Sequence, residues 1–252
     1  MKLMIYNIYE GAAETLAQIE EIVAAEQPDY LMFNEANTFA DASILEGFAR
    51  RTDFPYFDVA LSGQGNYHVA VFSKYPLKEV KKLQPLARAG LIATIDCPLG
   101  QLSIASLHLT PFSEDLRHPE IDLILSMQKK YQKRILMGDM NSLSRADEYD
   151  NSIVNDFNQM QTKKFTTGGK LRFDAIDKIL SEGYIDTAQL KGKNKEFTVP
   201  TPANKDATHA PTRLDYIFIS EPLVAHLREY EVVKNNLTEQ ASDHYPVTVT
   251  LN

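Results

Sequence analysis

The 252-residue chain has a single cysteine, Cys97, and no tryptophan. One cysteine excludes an internal disulfide and a cysteine-based zinc centre, and nothing about it calls for an oxidising compartment. No apolar run approaches the roughly 20 residues that a membrane-spanning helix needs. The GxxxxGK loop of nucleotide-phosphate binding and the GxSxG elbow of acyl hydrolases are both missing. SGQGNYHVAVF contains Gly63 and Gly65 but leads into a strand pattern, whereas a dinucleotide loop must open a helix, so it reads as a turn. Positive charge is also scarce: 26 Lys and Arg stand against 34 Asp and Glu, a net charge of -8. That balance argues against a protein that holds polyanions over its whole surface. The opening KLMIYNIYEG already reads as a strand, not as a basic segment followed by a long apolar stretch and a cleavage site. A cytoplasmic protein is therefore expected.

What is present is an ordinary globular composition, 44% hydrophobic, without a long linker, low-complexity tract or repeat. One domain over residues 1–252 is the simplest organisation. Short apolar runs predict strands at Lys2 to Asn7, Asp29 to Glu35, His68 to Ser73, Gly90 to Asp96, Gln101 to Leu109, Arg134 to Gly138, Leu214 to Ser220 and His244 to Leu251. Helical spacing of Leu16, Ile19, Ile22 and Val23 predicts a helix from Ala12 to Glu26. Two more are predicted from Pro119, placed at a first helical position, to Arg134, and from Asp174 to Glu182. Helices alternating with strands early, and strands following one another late, imply mixed sheets with helices packed outside. Charge is uneven, because Gln161 to Arg213 carries ten Lys or Arg against six Asp or Glu. Within it, Lys163-Lys164 and the KGKNK run form either a phosphate-attracting surface or a solvated lysine-rich loop. Gly192 to Arg213 reads as a surface loop, where specificity often resides.

The strand ends share a pattern. Asn7 follows KLMIY, Glu35 follows YLMFN, His108 follows LSIASL, and Asp139 and Asn141 follow RILMG. Asp215 in RLDYIFIS, and Asp243 with His244 in SDHYPVTVTL, stand near the starts of their segments. In a mixed sheet the start of an antiparallel strand lies beside the ends of its neighbours, so all can occupy one rim. Asp139 and Asn141, two apart, are expected to share a strand face. Each residue alone has a plainer reading, as a turn former, a helix cap or a satisfied core histidine. Together at one rim, these acids, amides and imidazoles would repel and desolvate one another unless a cation or an anionic substrate resolved the charge. His68, His118, His209 and His226 show no ligand spacing, His68 lying closest to a motif.

In order, YNIYEG, QPDYLMFNEAN, VAVFSKYP, SLHL, GDMN, RLDYIFIS and SDHYPV resemble the motifs of the endonuclease/exonuclease/phosphatase superfamily, which has the deoxyribonuclease I-like fold. The resemblance implies a four-layer α/β sandwich, two packed mixed β-sheets flanked by helices, that hydrolyses phosphate esters with Mg2+ or Mn2+. It implies that Glu35, helped by Asn7 and Asp243, holds the ion, and hard ions do favour carboxylate and amide oxygens. It gives His244 the role of general base, Asp215 that of fixing its tautomer, and Asp139 and Asn141 the orientation of nucleophile and phosphoryl group. Some accounts of the family give Asp139 the base role instead. His108 would contact a non-bridging oxygen, and Arg88, in LARAGLIATI, is either a phosphate contact or an exposed edge arginine. Two features depart from the family. Asn34 stands where Gln is usual, which should leave Glu35 free to bind metal, and the tyrosine that some nuclease members place near the phosphate has no clear match. A nucleic acid is the leading substrate, a small phosphodiester, sugar phosphate or lipid head group the alternative, and a catalytically silent binding module the rival from another class.

Overall fold

The computed structural model describes residues 1–203 and 210–252, so His209 and part of the Gly192 to Arg213 loop lie outside the described residues. Eight strands precede the small ribbon Thr166–Thr167 (β9) and Lys170–Leu171 (β10): β1 Lys2–Asn7, β2 Tyr30–Asn34, β3 Tyr56–Ala60, β4 Val69–Ser73, β5 Lys78–Lys82, β6 Ala89–Cys97, β7 Gly100–His108 and β8 Arg134–Asp139. Four follow: β11 Tyr184–Asp186, β12 Asp215–Ser220, β13 Leu227–Val232 and β14 Val247–Leu251. They form two mixed six-stranded sheets, ordered β13-β14-β1-β2-β4-β3 and β11-β12-β8-β7-β6-β5.

The layering follows from residues pointing alternately to opposite faces. In β1, Leu3 and Ile5 enter the core between the sheets, where Ile135, Met137 and Ile217 of the second sheet meet them. Met4 and Tyr6 face outward onto helices α1 (Leu16–Glu26) and α2 (Ala42–Arg51), through Ile19, Ile22 and Phe48. On the other side, Leu107, Leu136 and Phe218 pack against Ile121 and Ile124 of α3 (Glu114–Gln128). The order is thus helix, sheet, sheet, helix, as the resemblance implies. Among the described residues, no helix is long and apolar enough to cross a membrane.

Several boundaries differ from those predicted. Helix α1 begins at Leu16 because Tyr9, Glu10, Gly11 and Ala12 take positive φ angles, which a helix cannot contain. Helix α3 begins at Glu114 and holds Pro119 inside it; the basic run after Gln128 forms a turn, since Arg134 already pairs with Ser103 in β8. Strand β2 stops at Asn34, and β14 starts only at Val247, past Pro246. The expected surface loop is partly interior: Val199 bridges Thr212, and Thr198, Thr212 and Arg213 are buried. Strand β5 escaped the sequence reading because KEVKK is an exposed edge, the kind of strand that lysines protect from further pairing.

Gly138 sits where no other residue fits. Its φ is +143°, and a Cβ there would stand 1.8 Å from the Leu107 carbonyl oxygen. Close approach of β7 and β8 therefore requires the glycine that precedes Asp139.

Candidate active site

Strand register places the candidate residues. In the second sheet, Asp139 pairs with His108 of β7 on one side and with Asp215 of β12 on the other. In the first sheet, Asn7 pairs with Asn34, and β14 runs antiparallel to β1 with Ile5 opposite Val247, which brings Asp243 and His244 to the same end. Eight of the nine candidates line one cavity of about 170 Å3: Asn7, Glu35, Arg88, His108, Asp139, Asn141, Asp243 and His244. The ninth, Asp215, stands behind His244.

Asn34 joins the two sheets. Buried completely, it donates from Nδ2 to the Leu107 carbonyl at 2.8 Å and accepts the Asp139 N–H at 3.0 Å. Asn7 Nδ2 donates to Asp139 Oδ2 at 3.3 Å, a second link across the sheets, while the Asn7 carbonyl accepts from Ser242 Oγ at 2.6 Å. Glu35 lies just beyond β2 in a left-handed conformation, φ +54°, and its Oε2 accepts the Glu10 N–H at 3.1 Å. Burial raises its pKa above the usual carboxylate range, and Asp243 and Asp139 push the same way.

Asp139 and Asn141 reach the same cavity, but not by strand alternation. The strand ends at Asp139; Asn141 has φ +52°, and its N–H turns back to Asp139 Oδ1 at 2.8 Å. Its side-chain Nδ2 donates to the Leu109 carbonyl at 2.9 Å.

His244 Nδ1 lies 2.7 Å from Asp215 Oδ2, which also accepts from Thr198 Oγ1 at 2.6 Å. Thr198 Oγ1 in turn accepts the Leu214 N–H at 3.1 Å, so one hydroxyl fixes both the carboxylate and the start of β12. Burial would drive the His244 pKa down, but the pull of Asp215, Asp243 and Asp139 outweighs it and raises it to about 10. His108 is the opposite case. Burial outweighs the attraction of Asp139, whose Oδ2 lies 3.6 Å from Nε2, and lowers its pKa to about 3. His108 is therefore a neutral imidazole, with a buried Nδ1 that has no partner among the described residues.

A tight group of possible metal-ligating atoms, all within 4.8 Å of one another, belongs to Asp139, Asp215 and His244. The His244–Asp215 pair is already a short hydrogen bond, so this group reads first as a supported imidazole. Glu35, Asp243 and the Asn7 amide leave oxygen donors on the first-sheet side of the cavity, and a hard divalent cation suits that set.

Three residues were not identified as site residues from sequence. Lys164 reaches the cavity from α4 (Gln159–Phe165) and donates to Asn141 Oδ1. Tyr67, at the end of the glycine-containing turn, stacks under Arg88, whose guanidinium carbon is 3.2 Å from the ring centroid, and meets His108 edge-on. Thr198 completes the set. An Asn158-x-x-Gln161 capping box is the sequence signal that could have revealed α4; Thr198 and Tyr67 carried none. His68 proves structural, its Nδ1 accepting the Ser62 N–H at 3.0 Å.

The profile of the Endonuclease/Exonuclease/phosphatase family matches residues 4–244. The chain belongs to that family. Its members are phosphoesterase hydrolases. No relative is found among the curated proteins. Among solved structures, an AP endonuclease from Archaeoglobus fulgidus superposes with a TM-score of 0.75 at 17% identity, covering 100% of this chain and 99% of that one. A 3' phosphatase, NExo, from Neisseria, bound to a product DNA hairpin, gives 0.72 at 18% identity with the same coverage. An endonuclease/exonuclease/phosphatase family protein from Leptotrichia buccalis gives 0.70 at 23%, again covering 100% and 99%. At these identities the likeness establishes the fold.

Proposed function

We propose that this family member is a nuclease-like phosphoesterase that uses Mg2+ or Mn2+ to direct water onto a phosphate ester. The observation that carries the reading is the convergence, by strand register across two sheets, of a His–Asp pair, a buried Asp–Asn turn and an oxygen-rich acid set on one cavity.

Glu35, Asn7 and Asp243 would hold the cation, which when bound supplies Lewis-acid polarisation of the phosphoryl group and offsets the acids' field. His244 takes the proton of the attacking water. With the acids uncompensated it already carries a proton at neutral pH, so this role requires counter-charge among the same acids. Asp215, locked by Thr198, fixes the imidazole so that Nε2 is the free nitrogen. Asp139 and Asn141 orient the water and the phosphoryl group. Neutral His108 offers a donor to a non-bridging oxygen without competing for the cation's place.

DNA is the proposed polymer substrate, as it is for the neighbour bound to a product hairpin. The small cavity and the net charge of -8 favour the second reading, a small phosphate ester. Salt dependence separates the two, since a polynucleotide loses affinity steeply as salt rises.

The test is hydrolysis of an activated phosphodiester, plasmid DNA, single-stranded DNA, RNA, an abasic duplex and small phosphate esters, with Mg2+, Mn2+ or chelator. Metal-dependent product that falls by about 10² to 10⁴ in His244→Ala and Asp139→Asn is the expected outcome. If both variants keep wild-type rates, the roles given to His244 and Asp139 fail; if no substrate is turned over, the whole reading fails and a binding module of the same fold takes its place.

A further inference from the structure

Besides its acids, the cavity is lined by two cations, Lys164 and Arg88, and by further hydrogen-bonding groups. Lys164 spends one ammonium proton on Asn141 Oδ1 and keeps two. The Arg88 guanidinium carbon lies over the Tyr67 ring, and its Nε is buried without an acceptor among the described residues. His108 lines the same cavity, and Asn141 Nδ2 has one proton left after its bond to Leu109.

Lys164 is also held from behind, which a solvated lysine such as its exposed neighbour Lys163 is not. Fully buried Arg117 donates to the Lys164 carbonyl from both terminal nitrogens at 3.4 Å, to the Thr110 carbonyl at 2.9 Å and to Glu114 at 2.8 Å. Glu114 accepts from Ser142 Oγ at 2.5 Å, next to Asn141, so the same network ties α4 to the turn after β8. The helix start is closed by reciprocal bonds between Asn158 and Gln161. An ammonium placed this firmly is preorganised for an anion.

Oxygen counting then separates the substrate classes. An internal phosphodiester offers two non-bridging oxygens, whereas a terminal phosphate offers three and a second negative charge. The cavity is about 170 Å3. That is room for a phosphate group and the ligands around it, with the rest of the substrate outside.

We infer that the cavity binds a terminal phosphate, the dianionic end of a phosphomonoester, and that Lys164 and Arg88 are the residues that select it over an internal phosphodiester. Burial lowers the Lys164 pKa to about 8, so the ammonium is charged at neutral pH. Hydrolysis of that ester rests on the function proposed above; binding of the phosphate does not.

The experiment uses the full chain with Mg2+ and with Mn2+. It compares kcat/KM for 4-nitrophenyl phosphate and bis(4-nitrophenyl) phosphate, and measures inorganic phosphate binding by calorimetry. A terminally phosphorylated oligonucleotide and a sugar phosphate, run in parallel, tell polymer ends from small molecules. The wild type is expected to favour the monoester by about tenfold or more. Lys164→Met should cost the monoester about 10²-fold in kcat/KM, cost the diester about tenfold less than that through its bond to Asn141, and weaken phosphate binding, with partial rescue in Lys164→Arg. Arg88→Gln should act in the same direction and serves if Lys164→Met does not fold. Equal losses for both esters, or phosphate binding untouched by these variants, would mean that Lys164 only props Asn141, and the inference falls. If the wild type hydrolyses neither ester yet binds phosphate through Lys164, the inference stands and the proposed activity fails. If it cleaves diesters but binds no phosphate, the reverse holds.

Discussion

Replacing Asn34 tests whether the active-site rim depends on a bond between the sheets. The side chain is buried, and both of its amide atoms are bonded to the second sheet, to the Leu107 carbonyl at 2.8 Å and the Asp139 N–H at 3.0 Å. Asn34→Ala removes both partners and leaves a buried acceptor and a buried donor unmet, at about 1–3 kcal/mol each, or about 2–6 kcal/mol together. For a chain of this size that corresponds to a fall in Tm of about 5–20 °C. The informative comparison is Asn34→Asp, which preserves shape but turns a carboxylate oxygen onto the Leu107 carbonyl. Ionised, it should be worse than alanine. Protonated, it can donate where the amide did, so the folded state raises the pKa of the new acid above the unfolded value of about 3.9. Its stability relative to wild type is then best below about pH 4 and declines as pH rises towards neutrality. Urea unfolding across pH, with turnover measured alongside, reads both effects. If Asn34→Asp is as stable as wild type at pH 7, or if Asn34→Ala keeps full activity, the cross-sheet amide does not position Asp139.

Three further outcomes follow from the same geometry. Arg213, buried and bonded to both Asp147 and Asp186, should lose about 3–5 kcal/mol of stability as Arg213→Met, because two buried carboxylates lose their counter-ion; a loss under about 1 kcal/mol in urea unfolding would contradict this. Asp215→Asn should lower kcat by about 10² to 10⁴ with an unchanged far-ultraviolet spectrum, and near-wild-type turnover would remove Asp215 from the proposed mechanism. Lys164 has a folded pKa lowered by burial from 10.5 to about 8, so the unfolded chain holds one more proton between those values. Wild-type stability should therefore rise relative to Lys164→Met as pH passes through that window, while phosphate affinity falls, and parallel pH profiles for the two proteins would refute the burial of the charge.

Much of the rim was legible because pairing alone sets it. Apolar runs that end in Asn7, Glu35, His108 and Asp139 become neighbouring strands, and register then leaves little freedom in where those last residues stand. The pattern brought Glu35 and Asn141 to the rim, where both line the cavity, but misjudged how they get there. Both sit one or two residues past their strands at positive φ, a conformation that an apolar run does not announce. Asn34 was read only as a departure from the family pattern. That its amide reaches the other sheet depends on how the sheets face each other, which no single strand encodes.

The cationic side was legible only in part: Arg88 was read as a phosphate contact or an exposed edge arginine, and Lys164 was not singled out from its basic stretch. Lys164 stands on a two-turn helix outside the two sheets, and Arg88 on the chain just before β6. Their positions depend on packing, Lys164 on Arg117 and the buried Phe165, Arg88 on the face of Tyr67. In the sequence, the lysine is one of ten basic residues in a basic stretch, indistinguishable from those that remain in solvent. The division has a chemical logic. The acids and amides that would hold a cation and move a proton are fixed by the sheets, where position tolerates least error. The groups proposed to choose among phosphate esters stand on peripheral elements, which can change without disturbing the pairing. On this fold, then, the strand ends identify the reaction, and the substrate has to be sought in what packs around them.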